Sequence, residues 1–233
     1  MWYFDPTVML LIPAMIFAFY AQGRVRSAYR KYASVRNRRG ITGAQAARMI
    51  LDNNGLRDVR IEMVNGTLSD HYDPRTRVMR LSPRVYNEPS IASVSIAAHE
   101  SGHAIQHAEL YVPLKLRNGI VPIANVASML SWPLMIIGIL VANAGNYAKG
   151  NLIMDIGILF FASVVLFHAV TLPVEFNASS RAVKQLEHLG IVYEEERSGA
   201  RRVLSAAAMT YVAALATAVA NLLRLLVLRE RNQ

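Results

Sequence analysis

Ala98-His99-Glu100-Ser101-Gly102-His103 sets two imidazoles four residues apart, with a carboxylate directly after the first. On a helix, positions i and i+4 lie one above the other on the same face. Both rings can therefore reach a single zinc ion at about 2.0–2.1 Å. The intervening Glu100 then points near the open position of the metal, where a carboxylate can take a proton from bound water. Zinc lowers the pKa of such a water towards about 7 and polarises a peptide carbonyl. The chemistry implied is metal-assisted peptide hydrolysis, with one Zn2+ per chain. Apolar Ile96, Ala97, Ala98, Ala104 and Ile105 flank the motif, which argues against an ordinary solvated helix that happens to carry His and Glu.

A catalytic zinc takes three protein ligands and keeps one place for water. His107 continues the four-residue series, but eight residues of helix rise about 12 Å. Unless the helix breaks right after His103, His107 is a neighbour of the site and not a ligand. His168 lies inside an apolar segment, five residues before Pro173; intramembrane polar residues face a bundle interior, so it can line the site. Asp155 falls near the outer end of that segment, on the wrong side. His188 and Glu194-Glu195-Glu196 read as solvated. That leaves Glu175, which follows Pro173 and Val174 where the apolar segment ends, with the proline well placed to start a new helix. Two apolar segments separate Glu175 from His103, so both return to the same face of the bilayer. His99, His103 and Glu175 are the expected metal ligands, and Glu100 is the expected general base.

The chain that must position them has 233 residues, 53% of them hydrophobic, no cysteine and a formal charge of +9. Without cysteine, neither a disulfide-stapled module nor a Cys-ligated zinc finger is available, and such apolar content excludes disorder. Hydrophobicity and charge are segregated along the sequence. The chain is uncharged between Asp5 and Arg24, and again for 31 residues between Arg117 and Lys149. From Gly150 to Val174 only Asp155 and His168 interrupt an apolar run, and Val203–Leu223 is uncharged. About 20 apolar residues span a bilayer. The first stretch lacks a basic leader and a small-residue cleavage site, so it reads as a retained anchor. In the fourth, Arg224, Arg229 and Arg231 crowd the far end, which leaves a buried or interfacial helix as an alternative to a span.

Orientation follows from Arg24, Arg26, Arg30, Lys31, Arg36, Arg38 and Arg39, a run with no acidic residue among them. Such a run faces the cytoplasm, and juxtamembrane placement explains it without a nucleic-acid partner. The chain divides accordingly: an anchor over 1–23, a cytoplasmic zinc-protease domain over 24–117, a transmembrane hairpin over 118–174, a cytoplasmic helical region with the third ligand over 175–202, and a transmembrane or membrane-associated helix over 203–233. Within the polar part, a helix opens at Ile41-Thr42-Gly43 and stops at Asn53-Asn54-Gly55. Strands are expected at Val59–Val64 and Val78–Ser82, with turns at Asn65-Gly66 and Asp73–Thr76. Ile91–Ala108 is helical by composition. The polar region proper, 40–117, has about 78 residues, a marginal core, so this domain is expected to lean on its membrane helices. The fold class is a mainly α membrane protein of about four transmembrane or membrane-associated helices, with a small α+β domain carrying a short β-hairpin.

Three segments, SDHYDPRTRVMRLSPRVYN, AAHESGHAIQHAELYVPLKLR and LPVEFNASSRA, resemble the YugP-like membrane zinc metallopeptidases over nearly the whole chain. The layout is more distantly similar to the HtpX-like and CAAX-processing membrane proteases of the gluzincin class. The resemblance implies His99, His103 and Glu175 as zinc ligands and Glu100 as general base. It also implies that the strand around Val78–Ser82 pairs with an extended substrate as an edge strand, and that membrane-associated proteins or peptides are the substrates. Asn177 stands where the family pattern has aspartate, and Ser180 where it has arginine. Asparagine still orients a ligand histidine, as a weaker acceptor than a carboxylate. Arg181 matches the pattern and is a candidate contact for substrate or Glu175, or simply an arginine at the cytoplasmic rim. The expected function is a zinc endopeptidase of the inner membrane with its site on the cytoplasmic side. A non-catalytic zinc-binding adaptor or regulator is the alternative, disfavoured by Glu100, since a structural site has no use for a base.

Overall fold

The computed structural model describes residues 6–231; the first five residues of the expected anchor and the last two of the chain lie outside them. A short 3-10 turn, Pro6–Leu11, leads into α1 (Ile12–Ala33). Then follow α2 (Gly43–Asn53), β1 (Arg60–Met63), β2 (His71–Asp73), β3 (Val78–Leu81), α3 (Pro83–Asn87), α4 (Ile91–Ala108), α5 (Val112–Asn143), α6 (Tyr147–His188) and α7 (Glu194–Glu230). Four helical segments, Pro6–Ala33, Val112–Asn143, Tyr147–His188 and Glu194–Glu230, are long and apolar enough to cross a membrane. This is a mainly α membrane protein with a small β element.

Contacts divide the chain into two compact units. The first holds the residues up to Tyr20, Lys115–Leu172 and the residues from Tyr211 onward. Its core joins Met135 of α5, Met154 and Phe161 of α6 and Leu225 of α7. Within it Arg229 makes a two-pronged contact with Asp155 at 2.9 and 3.2 Å. The Arg224 guanidinium lies over the Trp132 ring, 5.0 Å from its centroid.

The second unit comprises Ala21–Leu114 and Pro173–Thr210. Local sequence explains its elements. Thr42 caps α2 and Gln45 returns the bond, a reciprocal pair that satisfies two otherwise orphaned amides. Ser90 caps α4 by accepting from the Ser93 amide at 3.1 Å. Ile50, Leu51, Met79, Leu81, Ile91 and Val94 are buried in one cluster that Leu186, Ile191, Val192 and Leu204 complete from the later helices.

Two expectations are corrected here. The strands around Val59–Val64 and Val78–Ser82 form, but they pair with one another in parallel. The hairpin is made by β3 with β2, a third strand that takes in Asp73 at the start of the expected turn. The strand order β1-β3-β2 places β3 in the centre, so it is not the edge that could receive a substrate. Its far end is closed as well. The Leu81 carbonyl accepts from the Val64 amide at 2.9 Å, and Asp70 accepts from the Ser82 amide at 2.7 Å. The second correction concerns Pro173. It does not start a helix but lies inside the 42-residue α6. A proline there costs one backbone bond, to the carbonyl four residues back, and the helix continues through it.

Candidate metal centre

α4 carries His99 and His103 on one face, their ring centroids 4.8 Å apart and nearly perpendicular. α6 lies against α4 so closely at Gly102 that a Cβ there would sit 2.7 Å from the Ala178 carbonyl oxygen. Only glycine permits this approach, and the approach delivers Glu175 to the imidazoles. Glu175 Oε2 lies 3.2 Å from His99 Nε2 and 3.6 Å from His103 Nε2. Glu175 is 2% exposed, against an ordinary preference of glutamate for water.

These spacings suit a cation. Ligand atoms held about 2.0–2.2 Å from a tetrahedral ion stand roughly 3.3–3.6 Å apart, and the three donor atoms here lie within 4.8 Å of one another. The hydrogen bonds on the far side of the rings fit as well. Gln106 is fully buried, and its Nε2 is 2.9 Å from both the Val174 carbonyl and Asn177 Oδ1. A carbonyl only accepts, so that end of the amide must be the nitrogen. Gln106 Oε1 then faces His103 Nδ1 at 3.0 Å and must accept from it. His103 thus carries its proton on Nδ1 and presents Nε2 to Glu175. Without an ion, acceptors on both nitrogens would call for a buried imidazolium. A divalent cation removes that demand, so the residues present fit zinc. Asn177 is fixed in turn, since its Oδ1 also accepts from Arg181 Nε at 2.7 Å. Arg181 is held by Glu109 at 2.6 Å, which keeps the Glu109 carboxyl below its usual range through that hydrogen bond. On the other imidazole, Ser179 Oγ lies 3.2 Å from His99 Nδ1.

Glu100 is buried between the two histidines in sequence, and its negative charge bears on His103. Burial pulls the His103 imidazolium down, but the Glu175 hydrogen bond and the neighbouring carboxylates reverse this, so its pKa is raised. His107 does not join the group. α4 runs on to Ala108 without a break, and His107 Nδ1 pairs with the Tyr72 hydroxyl at 3.0 Å. His168 lies on α6 before Leu172, among the residues of the other compact unit. Asn177 does not contact a histidine directly; Gln106 stands between. Arg181 contacts Asn177 and Glu109, not Glu175. Gln106 and Ser179 were missed by sequence reasoning. Gln106 lies three residues after His103, at helical reach, and that spacing was the signal available for it.

The family model described as "Putative neutral zinc metallopeptidase" matches residues 7–230. The chain belongs to this family. A curated relative, "Putative membrane protease YugP" of Bacillus subtilis (strain 168), is 46% identical over 217 residues, covering 93% of each chain. No solved structure matches the chain.

Proposed function

We propose that this chain is a membrane-embedded zinc endopeptidase that holds one zinc ion through His99, His103 and Glu175. The observation that carries the reading is the convergence of two α4 imidazole nitrogens on one buried α6 carboxylate, with Glu100 on the intervening position. A bound zinc ion supplies Lewis acidity and a lowered water pKa. The chain's own residues do the rest. Glu100 accepts a proton from the attacking water and passes it to the departing amine. Gln106 and Ser179 hold the outer nitrogens of the histidines and so keep the inner ones aimed at the site. The family name and the relative's name support a peptide substrate.

The basic run from Arg24 to Arg39 supports a site on the cytoplasmic face of the inner membrane. In this reading 1–23 and 118–174 lie in the bilayer, 203–233 spans it or associates with it, and 24–117 and 175–202 form the protease part. Substrates are then proteins or peptides at or in the membrane.

The test is Glu100→Gln in the full chain purified in detergent. Zinc content by elemental analysis stays near one per chain, while cleavage of an unstructured test protein falls by about 10²–10⁴, the usual contribution of a positioned base. Cleavage at the wild-type rate would overturn the assigned role. Zinc without cleavage in either protein, over a broad substrate panel, would favour the adaptor reading.

A further inference from the structure

Arg24 and Lys31 of α1 and Arg202 of α7 line a single cleft of about 150 Å3. Among the described residues no carboxylate lines it, and Ser27 and Tyr32 complete its polar wall. On α1, positions 24, 27, 28 and 31 fall on one helical face. Ala28, with Ala206 of α7, supplies the small side chains that leave the space open. The two helices meet closely beside it. At Gly199, three residues before Arg202, an added Cβ would come within 2.8 Å of the Tyr32 ring.

The level of this cleft follows from the sequence of its walls. Arg24 is the first charged residue after the uncharged run of α1, and Arg202 is the last before the uncharged run of α7. Both helices therefore pass from polar to apolar composition at the cleft, which is where a bilayer's headgroups lie. Two guanidiniums, an ammonium and a hydroxyl match the donor needs of a phosphate group, which guanidinium binds in a two-pronged manner. We infer that this cleft binds the phosphate of an anionic phospholipid headgroup. The site is independent of the metal centre.

Each basic residue near an anionic membrane surface contributes roughly fivefold in binding, so three together contribute on the order of 100-fold. The full chain in detergent is titrated with phosphatidylglycerol and with phosphatidylcholine, and bound lipid is counted by native mass spectrometry. Phosphatidylglycerol binds the wild type more tightly than phosphatidylcholine. The triple variant Arg24→Gln, Lys31→Gln, Arg202→Gln loses roughly 100-fold of that affinity, while its phosphatidylcholine binding is unchanged. Arg26→Gln with Arg30→Gln, which removes charge from exposed α1 positions outside the cleft, lowers phosphatidylglycerol binding far less than the triple variant does. Should the triple variant fail to fold, Arg24→Lys with Arg202→Lys keeps the charge but removes both guanidinium forks, so phosphatidylglycerol binding weakens; binding as tight as the wild type's would overturn the guanidinium contacts. Equal affinity for the two lipids, or equal loss in the Arg26/Arg30 variant, would overturn the site. Glycerol 3-phosphate binding as tightly as the lipid would overturn the lipid source in favour of a free phosphate ester.

Discussion

Gln106→Met separates a role in holding His103 from a role in holding the fold. Methionine keeps the length and most of the volume of the side chain while removing both its donor and its acceptor. The Val174 carbonyl is inside α6 and retains its helical partner. Asn177 Oδ1 retains Arg181 Nε at 2.7 Å. The only group left stranded is His103 Nδ1, which loses its 3.0 Å contact in a site where His103 is 13% exposed. An unsatisfied buried donor costs about 1–3 kcal/mol. With an ion bound, Nε2 is committed and Nδ1 must keep the proton, so the whole cost is felt. In the metal-free protein no ion fixes the ring, which can turn so that Nδ1–H meets another partner, and much of the cost is avoided. The penalty therefore falls on zinc affinity, and 1–3 kcal/mol corresponds to roughly 5–150-fold. Outer partners of ligand histidines are worth about 10–100-fold, within that range.

The assay is competition for zinc against a chromophoric chelator at fixed pH, with the melting temperature measured in EDTA. The dissociation constant should rise by about 10–100-fold, and the metal-free melting temperature should move little. Arg181→Gln acts one hydrogen bond further out and leaves the Gln106–His103 contact in place, so its effect should be smaller, about threefold or less. A folded Gln106→Met protein whose zinc affinity stays within twofold of wild type would refute the argument. So would Arg181→Gln being the more damaging of the two.

Other outcomes follow from the same geometry. Gly102→Val drives a side chain into the Ala178 carbonyl; a melting temperature lowered by the equivalent of about 1–3 kcal/mol and loss of bound zinc are expected, with Gly102→Ala intermediate in both. Glu175→Ala should leave the purified protein without stoichiometric zinc, whereas His168→Ala should retain it, as elemental analysis would show. Zinc affinity should fall as the pH is lowered. His103 has a raised pKa, so above that value no proton competes for the ring, and below it each displaced proton costs up to about tenfold per pH unit; isothermal titration across pH 5.5–8 tests the sign.

The histidine pair and its glutamate were legible because they depend on two coarse regularities. One is the four-residue repeat of a helix face, and the other is the even number of apolar segments between His103 and Glu175. Neither requires knowing any side-chain contact. Gln106 was not legible, because its meaning depends on the Val174 carbonyl and Asn177, 68 and 71 residues away. The family pattern drew attention to Asn177, yet position 177 reaches His103 only through the amide between them. β2 was missed because three residues, His71–Asp73, are too few for an alternation of inward and outward side chains to be seen. Pro173 misled for a related reason. Its local preference favours a helix start, but a long apolar helix supported by neighbours tolerates one missing bond.

The same returning segment that supplies Glu175 also supplies part of the core. Ala182, Leu186, Ile191, Val192, Ala200 and Leu204 all belong to the buried cluster that holds α2, α4 and the sheet. Burying Leu186, Ile191, Val192 and Leu204 at about 1.5–3 kcal/mol each contributes roughly 6–12 kcal/mol as an upper estimate. That equals the whole net stability of an ordinary domain, about 5–15 kcal/mol. The polar insert therefore cannot hold its fold without the chain that comes back after α5 and the first part of α6. A fragment of residues 24–117 should show no cooperative unfolding transition, and it retains only two of the three zinc donors. Supplying 173–210 as a separate chain should restore helical signal and zinc binding together, because one segment carries both the apolar side chains and the carboxylate. A 24–117 fragment that melts cooperatively and binds zinc as tightly as the full chain would show that fold and metal site are built independently, against the coupling argued from Glu175 and Leu186.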